Sequence, residues 1–314
     1  MEKDVLRRDF TINSLALSLN QGGFADLIDF VGGFEDLKSK KIKVLHEKSF
    51  IDDPTRIIRG LKYATRLGFE LDEKTLALQK EYLNNINYDM CFKRVKQEIK
   101  KTFMIFSQNA FEQFITQGIY KLITSSNQIL RHAELVSVSC NPSNLENGID
   151  FLIKKYKPKY PWLVCLGVLI LEDNISKPIT PSPSPPKGEG SCPQSLFQYK
   201  FELTKYERDV IEGAESFLDK IFSNDFEIYK AFSVQKLESL MILAILGKAK
   251  EVIHFLDNLK KIKLQINGND LLELGFTPSK SFSEGFDYVL GKKIENPDIS
   301  KAEELRLIQE FFKR

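Results

Sequence analysis

Apolar residues recur at intervals of three and four along most of this chain, and only its first fifty positions break that rhythm. Residues 1–50 read as mixed α/β. They predict a helical stretch over 10–19, a turn at Gln21-Gly22-Gly23, and short strands over 25–30 and 41–45, with Gly32-Gly33 between the strands. From residue 53 the pattern becomes helical. Asp53 is a good N-cap, Pro54 suits a first helical position, and residues 56–67 run without a strong breaker to Gly68. Further helices are expected over 72–84, 92–106, 109–123, 149–155, 162–171, 205–222, 234–246 and 250–259. Residues 132–148 lack helical periodicity and read as an inserted loop. Residues 178–193 hold six of the twelve prolines, can bury almost nothing, and read as an extended linker.

The 314 residues exceed the usual size of one domain, so two or more compact units are expected. Charged residues make up 28% and hydrophobic residues 42%, a balance that excludes a largely disordered chain. The net charge of +2 gives no global nucleic-acid signature. Residues 51–105 carry eleven Lys/Arg against eight Asp/Glu, a local excess that fits either phosphate ligands or a solvated helix face. The four cysteines show no C-x-x-C spacing and no basic-then-apolar leader opens the chain, which fits a reducing cytoplasm. The longest apolar run, 162–171, has about half the residues needed to span a bilayer, so a buried helix and no membrane partner are expected.

Two strings concentrate the chemistry: Arg7-Arg8-Asp9-Phe10-Thr11-Ile12-Asn13, and Asp52-Asp53-Pro54-Thr55-Arg56-Ile57-Ile58-Arg59. A carboxylate preceded by arginines suits a metal-bound triphosphate, although an isolated R-R-D also occurs as a capping aspartate beside surface arginines. At about 100° per residue, Arg56, Arg59, Lys62 and Arg66 share one third of a helix circumference, with Ile57, Leu61 and Ala64 opposite. The helix therefore has a cationic side and an apolar side. Arg94 and Glu98, one turn apart, are expected to pair with each other. His46, His132 and His254 are isolated and none precedes an aspartate. Asp26 and Asp29 are spaced D-x-x-D, which in a strand puts them on opposite faces and argues against a metal pair.

The first string resembles the R-R-D-F-T-x-N signature of the class II tRNA nucleotidyltransferase and poly(A) polymerase family. Asp29-Phe30-Val31-Gly32-Gly33-Phe34-Glu35-Asp36-Leu37 is similar to that family's D-x-x-G-G-x-x-D-L element, and the second string to its E-D-P-x-R-x-x-R helix, with Asp52 in place of the usual Glu. A weaker similarity, Gly268 through Pro278, lies in the C-terminal region. The resemblance implies a mainly α fold: part of an α/β nucleotidyltransferase head at 1–50, a helical neck at 51–110, a helical body at 111–260 and a tail at 261–314. It implies that Asp9 is a catalytic, metal-holding carboxylate and that Arg8, Asp53, Arg56, Arg59 and Lys62 bind the nucleotide. Relatives often carry arginine where Lys62 stands. Gly32-Gly33 reads either as a head–neck hinge or as a tight turn between strands.

The activity implied is template-independent addition of CMP and AMP to the tRNA 3′ end, with CTP and ATP as substrates and Mg2+ as cofactor. Poly(A) synthesis and a non-catalytic RNA-binding helical protein are the alternatives. The family's D-x-D pair is absent from this sequence. One carboxylate cannot hold two metals about 4 Å apart, so the chain is expected to be inactive alone, as a shortened or split enzyme whose D-x-D comes from a separate polypeptide.

Overall fold

A computed structural model describes residues 2–87, 90–104, 110–123, 149–176, 201–277 and 281–313. The stretches 132–148 and 178–193, expected as loop and linker, lie outside the described residues. The chain is mainly helical and divides into two compact units, Met1–Glu212 and Gly213–Arg314. That division falls inside the stretch 111–260, which the resemblance implies is one body. The expected segments 1–50 and 51–110 share the first unit.

The first unit opens with a short helix α1 (Glu2–Val5) and a single 3-10 turn Thr11–Asn13. Two small sheets follow. Strands β1 (Ala16–Leu17) and β2 (Leu27–Ile28) pair antiparallel, Ala16 opposite Ile28. Strand β3 (Lys41–Ile42) pairs parallel with β4 (Glu70–Leu71). The helix expected over 10–19 is therefore not formed. Tertiary pairing overrides local propensity there: Phe10 bridges Val44, Thr11 N donates to Lys43 O at 2.9 Å, and Ser18 exchanges two backbone bonds with the turn at 25–26.

Helix α2 (Gly33–Lys38) places the glycine pair at a helix start, where the alternative of a tight turn between strands does not hold. Gly32 adopts φ +77°, and both Asp29 oxygens accept backbone N–H groups: Oδ1 from Val31 and Gly33, Oδ2 from Phe34. These bonds satisfy the first turn's free donors. They also hold the Asp29 carboxyl below its ordinary value, the Phe34 N–H being the largest cause.

Helix α3 (Ser49–Asp52) precedes α4 (Thr55–Leu67), which starts one residue after Pro54. Pro54 therefore takes the N-cap position expected of Asp53, which lies one residue earlier and accepts at Oδ1 from Thr55 N at 3.1 Å and Thr55 Oγ1 at 2.6 Å. Gly68, at φ +68°, ends α4. Ile57, Ile58 and Leu61 are fully buried, and each such side chain stabilises the fold by roughly 2 kcal/mol. Their partners are α6 (Phe92–Met104), whose Val95, Ile99 and Phe103 are buried, and α7 (Ala110–Thr116) with Phe111 and Phe114. Helix α5 (Glu73–Asn84) is capped by Asp72, whose carboxylate accepts from Thr75 N. The other face of α6 meets Pro161–Ser176, where Trp162 to Leu171 form the expected buried apolar run.

In the second unit, Asp225–Phe232, Leu237–Leu243 and Ala249–Asp257 gather around Phe232 and Phe255. The helix expected over 234–246 starts later, at Leu237, and helical geometry breaks at Leu246 and Gly247, the latter at φ +117°. Lys205–Glu215 is shorter than the expected 205–222. Ser281–Glu295 and Lys301–Phe312, which the periodicity missed, enclose Ile266, Leu271, Val289 and Ile308.

Candidate nucleotide site

The motif strings interlock before any ligand is considered. Thr11 Oγ1 donates to Asp36 Oδ2 at 2.6 Å, and Gly33 lies so close to Thr11 that a Cβ there would sit 2.2 Å from its carbonyl oxygen. Phe10, fully buried, packs against Gly60 and meets Tyr63 edge-on at 5.9 Å. Phe10 and Thr11 thus clamp the R-R-D loop between α2 and α4.

That clamp sets Asp9 beneath the cationic side of α4. A cleft of about 450 Å³ opens there, lined by Arg7, Arg8, Asp9, Asn13, Asp53, Arg56, Arg59 and Tyr63. Arg59 Nε donates to Asp9 Oδ2 at 2.7 Å with Nη2 at 2.6 Å, while Oδ1 accepts from Phe10 N and Asn13 Nδ2, both at 3.0 Å. Burial opposes ionisation of Asp9. The Asn13 bond, the Arg59 charge and bond, and the Phe10 N–H outweigh it and hold the carboxyl below its ordinary value.

Arg56 is fixed at its guanidinium, Nη1 donating to Ser49 Oγ at 2.7 Å and to Ser49 O, and Nη2 to Arg7 O at 3.1 Å. Among the described residues these bonds leave Nε–H and one Nη2 proton uncommitted. Arg8 donates to Asn13 O at 2.9 Å and stays exposed. Asp53 turns Oδ2 to Arg94 Nη2 at 2.7 Å.

Of the residues expected at the site, Arg8, Asp9, Asp53, Arg56 and Arg59 converge on this cleft, and Lys62 does not line it. Its ammonium turns to Glu98 on α6 at 3.1 Å, where Lys101 also bonds. The expected Arg94–Glu98 pair is corrected at the same time. The two side chains leave α6 toward α4 and its N-terminal loop, Arg94 to Asp53 and Glu98 to Lys62, because the packed helix offers nearer counter-charges than the helix's own surface. Burial works against the Glu98 charge, yet the Lys101 and Lys62 contacts keep its carboxyl below the ordinary value. Tyr63 and Asn13 line the cleft but were not singled out from sequence. Tyr63 lies in the same helical sector as Arg56 and Arg59, so that signal was available.

Magnesium does not fit these residues as they stand. Four donors surround the Asp9 carboxylate and match its four acceptor positions, so a cation could enter only by displacing Arg59, Asn13 or the Phe10 N–H. Among the described residues no group of three His, Cys, Asp or Glu side chains could hold a metal ion.

Known proteins match this chain over part of its sequence and in fold. The poly A polymerase head domain model matches residues 1–43. An A-adding tRNA nucleotidyltransferase of Aquifex aeolicus is 50% identical over 84 residues, 27% of this chain and 10% of that protein. Its counterpart in Halalkalibacterium halodurans is 26% identical over 326 residues, covering 98% of this chain and 68% of that protein. The solved Thermotoga maritima CCA-adding enzyme complexed with tRNA superposes with a TM-score of 0.75 at 24% identity, over 99% of this chain and 73% of that one. The chain thus spans from a tenth to about two thirds of the length of these two curated relatives. It is similar to the class II tRNA nucleotidyltransferase and poly(A) polymerase family.

Proposed function

We propose that this chain carries the nucleotide-selecting face of a tRNA nucleotidyltransferase that adds CMP or AMP to the tRNA 3′ end. The observation that supports this most is the pairing of one carboxylate, Asp53, with one guanidinium, Arg56, at the start of α4 on a cleft that also holds Arg8 and Arg59. Cytosine and adenine each present an exocyclic amine beside a ring nitrogen acceptor. A carboxylate accepts from the amine and a guanidinium donates to the ring, so protein groups select the base without a template. Arg59 and Arg8 supply charge for the triphosphate.

Asp9 acts here by holding Arg59. If it also serves as a metal-holding carboxylate, it must release that arginine, and the remaining carboxylates must come from residues outside this sequence, on a separate polypeptide or otherwise. ATP and CTP complexes among related folds support nucleotide substrates. A reducing cytoplasm, which suits four cysteines scattered without C-x-x-C spacing, is the proposed location.

Equilibrium dialysis of the chain with each of the four ribonucleoside triphosphates tests the reading. CTP and ATP are expected to bind more tightly than UTP and GTP. Arg56→Ala is expected to blur that preference, and Arg59→Ala to weaken all four alike. Loss of affinity for all four with selectivity intact in Arg56→Ala contradicts the assignment. Addition of AMP alone, to tRNA already ending in CC, is the second reading, favoured by the 50% identity to an A-adding relative across 84 residues. Supplying tRNAs ending before C, after C and after CC to the active assembly separates the two.

A further inference from the structure

We infer that the Tyr63 hydroxyl is a nucleotide-binding group of this cleft and donates to an oxygen of the triphosphate beside Arg59. The inference rests on the proposed reading of Arg59 and adds a neutral donor next to it.

Tyr63 follows Arg59 by one turn and Arg56 by two on α4, so the three share one side of the helix. Its ring lines the cleft, half-buried, and meets the fully buried Phe10 edge-on at 5.9 Å. Two cations flank it, Arg59 Cζ at 6.0 Å and Lys62 Nζ at 5.0 Å from the ring centroid. Packing thus fixes the ring, and with it the place of the hydroxyl.

The hydroxyl has one proton to give and two lone pairs. Arg59 Nη2 donates to it at 3.4 Å, longer than an ordinary bond of this kind. Arg59 has no need of that contact, because Asp9 holds it at 2.7 Å and 2.6 Å. Among the described residues the hydroxyl proton itself meets no acceptor. A tyrosine kept for structure alone spends that proton on the protein, as Tyr229 does on Ile262 O at 3.0 Å. Phenylalanine would pack against Phe10 equally well, so the hydroxyl is the part of this side chain that the fold leaves unused. It is a free donor beside a guanidinium, and the acceptor that suits both is an anionic oxygen.

Position along α4 decides which anionic oxygen. Asp53 and Arg56 read the base at the start of the helix. Arg59 lies about 4.5 Å further along the axis and Tyr63 about 6 Å beyond that. In a nucleoside triphosphate the ribose separates the base from the phosphates. With the base at the helix start, the donors further along meet the phosphate chain. An O–H whose oxygen already accepts from a cation is polarised and donates more strongly.

Equilibrium dialysis of the full chain with CTP, CMP and UTP, for wild type and Tyr63→Phe, reads this out. The substitution keeps the ring and removes only the hydroxyl. CTP affinity is expected to fall roughly tenfold, the worth of one hydrogen bond to a charged group, with CMP within about twofold and the preference for CTP over UTP unchanged. The ratio of CTP to CMP affinity does not depend on the fraction of chain that is folded, and thermal unfolding reports that fraction. If Tyr63→Phe keeps the wild-type ratio, whether by binding both nucleotides normally or by losing both alike, the inference is overturned while the proposed function stands. If wild type binds CMP as tightly as CTP, the triphosphate reading of Arg59 fails and the inference with it.

Discussion

The guanidinium of Arg59 closes on the Asp9 carboxylate from α4, Nε at 2.7 Å and Nη2 at 2.6 Å from the same oxygen. Asp9 is buried, so this pair joins the N-terminal loop to the helix through a contact that water screens poorly. Removing one partner of such a pair costs more than the pair contributes, because the other is left unmatched. Asp9→Asn, which keeps the shape, is expected to lower stability by about 1–3 kcal/mol in urea unfolding.

The same contact gives an acid response. The carboxyl titrates below its ordinary value of 3.8 in the folded chain. Its contribution is therefore complete above that ordinary value and disappears as pH falls through the lowered one. Melting curves from pH 7 to pH 3 should show this acid loss in wild type, and a smaller loss in Asp9→Asn.

Glu172 has the opposite sign. Burial at the apolar helix Pro161–Ser176 pushes its carboxyl up to about 7. Between its ordinary value of 4.5 and about 7 the folded chain holds a proton that the unfolded chain has lost, so stability declines across that window as pH rises and levels off above it. Glu172→Gln is expected to flatten that decline and to be the more stable protein at pH 8, by an amount on the order of 2–3 kcal/mol. Melting temperatures at pH 5 and pH 8 check it; an unchanged slope in the variant contradicts it.

Gly33→Ala tests the clamp. The new Cβ would fall 2.2 Å from Thr11 O and 2.8 Å from Thr11 C, both backbone atoms that cannot swing aside. The R-R-D loop must shift, with an expected loss of roughly 2–3 kcal/mol and weaker binding of all nucleotides. Gly22→Ala, at a position with open space, serves as the control and should leave both unchanged.

Lys62→Ala separates a binding role from a structural one. The ammonium partners Glu98, which is 7% exposed, and turns away from the cleft. Stability is expected to fall by about 1–2 kcal/mol while CTP affinity stays within twofold. A tenfold loss of CTP affinity in a stably folded Lys62→Ala would restore the nucleotide-binding role that its helical sector implies.

The sequence by itself determined the helical character between residues 53 and 259, the amphipathic design of α4, the buried run at 162–171 and the identity of the charged residues at the cleft. Each of these is written in spacing along one element: period, cap and breaker act between residues a few positions apart. Only the tertiary structure decided how those charges are shared. Lys62 shares the cationic sector of α4 with Arg59, yet α6 offers it Glu98, and so it leaves the cleft. Arg94 and Glu98 match as a helical pair, yet each finds its partner on another element. Residues 10–19 carry a helical pattern, yet Phe10 and Thr11 gain more by bridging Val44 and Lys43 and packing against Gly33 and Gly60. Ion pairs and close packing act over a few ångströms of space regardless of chain separation, so the choice among competing partners is made only when the helices dock.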